Sequence, residues 1–283
     1  MIENFELNLE RIRVLSESTR EFRFVRTDGN PVTYLPGQFY RFSFQDDAGS
    51  FERSYSVATF DGPVGCSEKL DLLISYVQGG RASGYLFDGD PDLLVQNLRC
   101  AAKGPYGRLL VPSSLPRRLI MIATSVGLAP YIPILNQLDQ AMATDPVTVE
   151  LILGVRSPDE FIYADELIAY EQSHPNFDLT VCYSRQMPGH EDGFAQSGYV
   201  QEYLFKMNLD PTADHVLLCG NPLMIDDVFE ELKARGFGVR NVVREKYVYA
   251  RESASPPRHA PSEADKRLIA EKLAQLKGKQ GDK

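Results

Sequence analysis

The sequence has few cysteines and histidines, and none of them forms a metal-binding pattern. Its 283 residues include four of each. The cysteines are too far apart for the ligand spacing of a zinc or iron–sulfur site, and the histidines form no cluster. We therefore expect no metal site and no plant-type iron–sulfur module in this chain. The four cysteines are Cys66, Cys100, Cys182 and Cys219.

Long apolar runs are also missing. No stretch approaches the ~20 apolar residues that a membrane-spanning helix needs. The first residues have neither the basic start nor the apolar core of a signal peptide, so we expect a cytoplasmic protein. The formal net charge of -9 argues against a nucleic-acid partner. This charge is uneven, because residues 251–283 carry a net +3 and the first 250 residues a net -12.

The first part of the chain contains short β segments separated by turn signals. The predicted strands cover residues 5–15, 20–26, 38–44, 53–59 and 70–77. Short strands at regular spacing without intervening helices are typical of an antiparallel barrel or sandwich. We predict this all-β domain for residues 1–111.

From residue 117 the pattern changes to strands that alternate with helices. Predicted strands at 119–123, 147–155, 179–183 and 215–219 alternate with helices at 129–141, 163–173 and 224–235. Pro222 suits the start of the last helix and Gly236 its end. Such alternation predicts a parallel sheet for residues 112–250. Residues 251–283 read as a Pro/Ser-rich linker followed by a short amphipathic helix.

A small β-barrel followed by a parallel sheet offers sites for two ligands. The segment Arg53-Ser-Tyr-Ser56, preceded by Pro36-Gly-Gln-Phe39, resembles the RxYS flavin motif of the ferredoxin–NADP⁺ reductase superfamily. The resemblance extends over about residues 5 to 250. It implies a six-stranded antiparallel FAD-binding barrel followed by a Rossmann-like NADP(H)-binding domain.

The resemblance also implies roles for residues of the barrel. Arg53 is expected to bind the flavin pyrophosphate, Tyr55 to pack on the isoalloxazine, and Ser56 to lie near flavin N5. The guanidinium and the phenol suit these roles chemically. The segment 79–83 matches a second phosphate element, with a helix expected to start at Ser83. Its expected ligands are Gly80, Arg81, Ala82 and Ser83. The turn at 104–107 matches one that closes the barrel in relatives.

In the second domain, residues 123–130 occupy the place of a glycine-rich nucleotide loop, with Thr124 and Gly127 as expected ligands. Ala123 and Ser125 stand where this loop carries glycines in relatives, and Val126 replaces a common threonine. Three further residues, Arg156, Ser184 and Arg185, follow strands and are expected to bind the 2′-phosphate of NADP(H). Tyr199 is expected to stack on adenine, although similar strings also occur in relatives that use NADH.

Two later segments are expected to supply the reacting centre. Cys219-Gly-Asn-Pro222 resembles a motif whose cysteine lies beside nicotinamide C4, in a positioning role. Arg244-Glu-Lys-Tyr247 resembles the carboxylate–x–aromatic ending of ferredoxin–NADP⁺ reductases. There the tyrosine covers the flavin and the glutamate assists proton and electron exchange. The expected catalytic residues are Ser56, Cys219, Glu245 and Tyr247.

The sequence therefore predicts a monomeric FAD-dependent oxidoreductase. Hydride would pass between NADP(H) and flavin, and single electrons to or from a separate ferredoxin or flavodoxin. Since such carriers are acidic, the acidic body would need a local basic patch to dock one. Open alternatives are an NAD(P)H-dependent flavin or quinone reductase, the reductase component of an oxygenase, and a non-catalytic regulatory subunit.

Overall fold

Eight short strands and two helices form the N-terminal part of the molecule. The computed structural model describes residues 2–60, 64–145, 147–189 and 192–247. The elements are β1 (Glu3–Val14), β2 (Thr19–Arg26), β3 (Val32–Thr33), β4 (Phe39–Asp46), β5 (Gly49–Ser56), β6 (Cys66–Ser67), β7 (Lys69–Ser75), α1 (Arg81–Phe87), α2 (Pro91–Asn97) and β8 (Arg99–Tyr106).

Six of these strands form one antiparallel sheet with the order β5-β4-β8-β1-β2-β7. A bridge between Val57 and Leu72 joins its two edges, so the sheet curls into a barrel. Alternate residues such as Phe42 and Phe44 on β4 are fully buried, since successive side chains of a strand point to opposite faces. The predicted six-stranded antiparallel barrel is confirmed.

The second part is a parallel sheet with helices on both faces. Its elements are β9 (Arg118–Thr124), α3 (Tyr131–Thr144), β10 (Thr148–Val155), α4 (Ala164–Ser173), β11 (Phe177–Tyr183), β12 (Ala195–Ser197), α5 (Val200–Lys206), β13 (Asp214–Gly220), α6 (Pro222–Ala234) and β14 (Val242–Lys246). One-turn 3-10 helices occupy Ser125–Leu128 and Pro158–Glu160. All the strand pairs in this sheet are parallel, which confirms the second half of the predicted fold.

The strand order β12-β11-β10-β9-β13-β14 creates a crevice beside the central strand. From β9 the chain proceeds outward to β12, then returns to place β13 on the other side of β9. Loops that leave the carboxyl ends of β9 and β13 therefore diverge, and ligands of open α/β sheets bind at such switch points. Leu119 and Ile120 on β9 belong to different core clusters because both faces of the sheet are covered.

The two sheets pack into one compact unit. Ala58 and Leu73 of the barrel part lie in the same hydrophobic cluster as Leu119 of the parallel sheet. A buried hydrogen bond from the Tyr163 hydroxyl to the Glu21 carboxylate also crosses the junction. The predicted domain boundary at residues 111/112 falls between β8 and β9 and remains a prediction.

Several details differ from the sequence-based prediction. Helix α1 begins at Arg81, two residues before the expected start at Ser83. Helix α2, strand β8 and helix α5 were not predicted. No helix among the described residues is long and apolar enough to cross a membrane. The predicted linker and amphipathic helix at 251–283 lie outside the described residues.

Candidate functional site

A chain of hydrogen bonds joins the last residue of β5 to the end of the parallel sheet. The Tyr247 hydroxyl donates to Ser56 Oγ over 2.6 Å, and the Ser56 hydroxyl donates to Glu245 Oε1 over 3.1 Å. The Tyr247 hydroxyl also contacts the Cys219 thiol. The structure thus brings together all four residues that the sequence predicts as catalytic.

Strand register explains how the later residues of this cluster reach Ser56. In the parallel pair β13–β14, Cys219 lies opposite Glu245 and Gly220 opposite Lys246. The backbone N–H of Tyr247 then donates to the Gly220 carbonyl over 2.9 Å. Thiol, carboxylate and phenol therefore emerge together at the carboxyl edge of the sheet.

Burial changes the acid–base properties of this cluster. It raises the pKa of Glu245 to about 7, and the hydrogen bond from Ser56 opposes only part of that shift. Burial also raises the pKa of the Cys219 thiol well above its ordinary value, which keeps the thiol protonated. Such a cysteine suits a positioning role, and Glu245 suits proton exchange near neutral pH.

Two neighbours of the cluster were not predicted as site residues. A Cβ on Gly107, whose φ is +108°, would lie 3.1 Å from the Phe39 ring and 3.4 Å from the Glu245 carboxylate. The Tyr131 hydroxyl lies 3.0 Å from the Ile122 carbonyl and 2.7 Å from that of Leu217. The resemblance of the turn at 104–107 to a turn in relatives could have indicated Gly107. Tyr131 lies in an apolar stretch, and nothing in its sequence context indicated a site residue.

A cavity of about 600 Å³ adjoins this cluster at the carboxyl ends of β9, β10, β11 and β13. Among the predicted residues, its lining includes Thr124, Arg156, Ser184, Tyr199 and Tyr247. Tyr199 is 56% exposed, which leaves its ring accessible for stacking. The cavity therefore extends from the cluster of Ser56, Cys219, Glu245 and Tyr247 (the proposed reacting cluster) to the predicted nucleotide-binding residues.

The loop after β9 is fitted closely against the end of β13. The Thr124 hydroxyl accepts a hydrogen bond of 2.9 Å from the Asn221 backbone N–H. A Cβ on Gly220, at φ +123°, would lie only 2.4 Å from that hydroxyl. A Cβ on Gly127 would lie 2.5 Å from the Cys219 carbonyl oxygen. The absence of a side chain at Gly127 thus allows the loop to approach the cluster closely.

Ser125 adopts a backbone conformation that favours glycine. Its φ is +51°, in the left-handed region, at a position where the nucleotide loop of relatives carries glycine. Its hydroxyl lies 3.4 Å from that of Ser75 on the barrel. The serine that replaces glycine at position 125 therefore keeps the glycine-like backbone conformation and adds a contact between the two sheets.

The residues expected at the 2′-phosphate come together at neighbouring strand ends. The backbone N–H of Arg185 donates to the Arg156 carbonyl over 3.0 Å, and the Ser184 N–H to the Val155 carbonyl, also over 3.0 Å. Both arginine side chains are exposed. The Arg156 guanidinium lies 3.5 Å from the Glu160 carboxylate, and Arg185 is outside the cavity lining.

On the barrel, Arg53 and Tyr55 share one face of β5, as strand alternation predicts. Arg53 Nη1 donates to the Glu52 carbonyl over 2.7 Å, and the guanidinium lies 5.4 Å from the Phe51 ring. No carboxylate among the described residues pairs with Arg53. Its remaining donors fit a phosphate, which supports flavin binding at this strand.

The segment 79–83 differs from its expected geometry. The Ser83 hydroxyl accepts a 2.8 Å hydrogen bond from the Val77 N–H and does not cap a helix. The Arg81 guanidinium binds both oxygens of Asp46 at 2.8 and 2.5 Å, so it holds the β4–β5 turn. The backbone N–H groups of Ala82 and Ser83 have no acceptor among the described residues and fit an anionic ligand.

Comparison with known proteins agrees with this geometry. Residues 6–110 match the family model of an oxidoreductase FAD-binding domain, and residues 121–230 that of an oxidoreductase NAD-binding domain. A ferredoxin–NADP reductase B from Sorangium cellulosum is 30% identical over 235 residues, which cover 81% of this chain and 91% of that protein. The chain belongs to the ferredoxin–NADP reductase family.

Other similar proteins include an electron transfer component of an oxygenase and a ferredoxin NADP⁺ reductase of known structure. A toluate 1,2-dioxygenase electron transfer component from Pseudomonas putida is 26% identical, over 86% of this chain and 67% of that protein. A ferredoxin NADP⁺ reductase from Neisseria gonorrhoeae, solved with FAD and NADP, shares the fold with a TM-score of 0.71 and 24% identity. The alignment covers 86% of this chain and 98% of that one. As a member of this family, the chain is an oxidoreductase that binds FAD and NAD(P).

Proposed function

We propose that this chain transfers hydride between NADP(H) and bound FAD, and single electrons between FAD and a separate ferredoxin or flavodoxin. The observation that carries the proposal is the hydrogen-bonded chain from Tyr247 through Ser56 to Glu245. This chain connects the strand with the flavin motif to the sheet with the nucleotide crevice. Hydride transfer between two cofactors requires such a meeting point.

Bound FAD would supply the redox chemistry, since a flavin accepts a hydride and releases its electrons one at a time. In the proposal Arg53 binds its pyrophosphate and Tyr55 packs on its ring. The backbone of Gly80, Arg81, Ala82 and Ser83 completes the phosphate site. Because the Arg81 side chain is held by Asp46, only its backbone is assigned to the phosphate.

The reacting cluster would orient the ligands and exchange a proton. The Ser56 hydroxyl stands at the point where hydride transfer is proposed, and it is oriented by Glu245 and Tyr247. A carboxyl with a pKa of about 7 is present in both protonation states near neutral pH, so Glu245 suits reversible proton exchange. Tyr247 would cover the flavin, and the protonated Cys219 would position the nicotinamide.

The nucleotide is assigned to the 600 Å³ cavity. Thr124 and Gly127 shape the loop beside the reacting cluster, and Tyr199 presents an exposed ring for adenine. Two cationic side chains and a hydroxyl, from Arg156, Arg185 and Ser184, are proposed to bind a 2′-phosphate. This assignment favours NADP(H), and NAD(H) is the alternative.

A ferredoxin or flavodoxin is proposed as the partner because this chain aligns with two ferredoxin–NADP reductases over most of their length. The relatives among oxygenase components support a second candidate, the reductase component of an oxygenase. A free flavin or quinone is the third candidate acceptor. The monomeric state and the cytoplasmic location remain predictions from the sequence.

An acceptor panel tests the proposal. The FAD-loaded protein is reduced anaerobically with one equivalent of NADPH and mixed with ferredoxin, flavodoxin, free FMN or a benzoquinone. We expect reoxidation by a protein carrier to be the fastest, with saturation at micromolar carrier. Reoxidation that is efficient only with free FMN or quinone would replace the proposed function with that of a flavin or quinone reductase.

A further inference from the structure

The nucleotide cavity contains an ion pair whose acidic member has no role in the proposed function. Arg156 follows β10, and Glu160 ends the one-turn helix Pro158–Glu160. Arg156 Nη1 lies 3.5 Å from Glu160 Oε1. Both residues line the cavity. The pair therefore lies in the space assigned to the nucleotide.

Acidic side chains outnumber cationic ones along this cavity. Among the described residues of its lining, Arg156 is the one cation, whereas Glu160 and Asp227 are acidic. A 2′-phosphate brings between one and two further negative charges. To bind Arg156, the 2′-phosphate has to share the guanidinium with Glu160 or displace the Glu160 carboxylate. The phosphate and the carboxylate are both negative and repel each other, which weakens binding of the phosphate.

The Glu160 carboxylate has no other polar partner among the described residues. Its side chain is 27% exposed and that of Arg156 is 60% exposed, so neither group is locked in the interior. Exposed pairs of this kind contribute little to folding. The charge of Glu160 should therefore affect ligand binding more than it affects stability.

We infer that Glu160 is a specificity-determining residue for the nucleotide. Its carboxylate competes with the 2′-phosphate of NADPH for Arg156 and so reduces the preference for NADPH over NADH. NADH has a hydroxyl in place of that phosphate and does not compete for the guanidinium. The inference rests on the proposed function, because it assumes that the nucleotide occupies this cavity.

A charge-neutral substitution tests the inference with a matched control one residue away. Glu160→Gln removes the carboxylate charge and keeps the shape of the side chain. Asp159→Asn makes the same charge change at an exposed residue outside the cavity lining. KM and kcat for NADPH and NADH are measured on FAD-loaded protein with ferricyanide as acceptor, and thermal stability is followed in parallel.

We expect Glu160→Gln to lower the KM for NADPH by about three- to tenfold and to change the KM for NADH by less than twofold. The kcat values and the thermal stability should stay the same. Asp159→Asn should leave both KM values unchanged. In an Arg156→Ala background, most of the effect of Glu160→Gln should vanish, because the guanidinium for which the carboxylate competes is gone.

Three outcomes would overturn the inference. They are an unchanged NADPH to NADH ratio of kcat/KM in Glu160→Gln, an equal effect of Asp159→Asn, and a full effect in the Arg156→Ala background. Each would leave the proposed function intact. If the FAD-loaded wild type oxidises neither nucleotide, the proposed function itself fails, and the inference fails with it.

Discussion

The Ser56 hydroxyl donates a hydrogen bond to the Glu245 carboxylate over 3.1 Å, although 189 positions separate the two residues in the sequence. Ser56 ends a barrel strand, and Glu245 lies on the edge strand of the parallel sheet. The bond therefore exists only when both sheets are folded and packed together. The chemistry of the site depends on this junction as much as on the residue types.

Glu245 should make the stability of the protein depend on pH. Burial raises its pKa to about 7, above the ordinary value of about 4.5. Between these values the native carboxyl stays protonated while the unfolded one ionises, so the free energy of unfolding falls as pH rises. The loss is about 3 kcal/mol at most by pH 7. Thermal unfolding from pH 4.5 to 8 measures it.

The matched variant for that measurement is Glu245→Gln, which cannot ionise. Relative to wild type, it should gain stability as pH rises from 4.5 to 7 and stay level above that. Glu230→Gln, at an exposed glutamate paired with Lys233, should track wild type at every pH. A constant difference between Glu245→Gln and wild type would show that the carboxyl has the same pKa in the native and unfolded states.

Arg53→Ala should weaken FAD binding because the variant lacks the guanidinium proposed to bind the pyrophosphate. In the wild type, no carboxylate among the described residues pairs with this guanidinium. The expected loss is roughly 1.5–3 kcal/mol, or about 10- to 150-fold in affinity. Retention of flavin absorbance through gel filtration, followed by titration of the flavin-free protein, measures it. Arg41→Ala removes an exposed arginine on the neighbouring strand β4, paired with Glu52, and should retain the flavin. Equal affinities for both variants would remove Arg53 from the site.

Tyr163→Phe should loosen the junction between the two sheets. It deletes the buried hydroxyl that donates to Glu21, whose carboxylate also accepts a 2.7 Å bond from Arg11. Loss of a bond to a charged acceptor should lower the free energy of unfolding by about 1.5–3 kcal/mol. Urea unfolding measures this change. Tyr183→Phe, which removes a hydroxyl without a hydrogen bond among the described residues, should cost less than half as much.

Ser125→Gly should stabilise the protein. Relief of the left-handed backbone at φ +51° gains about 1–2 kcal/mol, and the greater freedom of glycine in the unfolded chain, together with the loss of the long 3.4 Å contact with Ser75, offsets part of it. A net gain of about 0.5–1 kcal/mol is expected in urea unfolding. Ser125→Ala retains the unfavourable φ and loses the contact with Ser75, so it should be no more stable than wild type. If Ser125→Ala stabilises the protein as much as Ser125→Gly, the left-handed backbone at Ser125 is not strained.

Much of the fold could be predicted because its strands and helices have strong local patterns. The strand predicted at 147–155 differs from β10 by one residue at its start, since a parallel strand buried on both faces is mostly apolar along its length. Strand β8 was missed because its sequence contains charged residues and ends in Gly104-Pro105, which reads as a turn. Its place in the barrel comes from pairing with β1 and β4, far away in the sequence.

The candidate site could be predicted as a set of motifs, but its contacts could not. Short motifs identified Ser56, Cys219 and Glu245, whereas the bond between Ser56 and Glu245 depends on tertiary packing. The ion pair of Arg81 with Asp46 had no signal either, because an arginine beside glycines suggests a phosphate ligand equally well. Glu160 was overlooked since an isolated glutamate on a turn is ordinary surface composition.

Single-turnover reduction of the bound flavin shows whether Ser56 and Glu245 take part in hydride transfer. Wild type, Ser56→Ala and Glu245→Gln are loaded with FAD and mixed anaerobically with NADPH while flavin absorbance is followed. We predict that all three retain FAD, that wild type is reduced rapidly, and that both variants are slowed by about tenfold or more, as a loss of ~1.4 kcal/mol of transition-state stabilisation implies. Equal rates in all three proteins would show that Ser56 and Glu245 take no part in hydride transfer, and a folded wild type that takes up no FAD would rule out the proposed function.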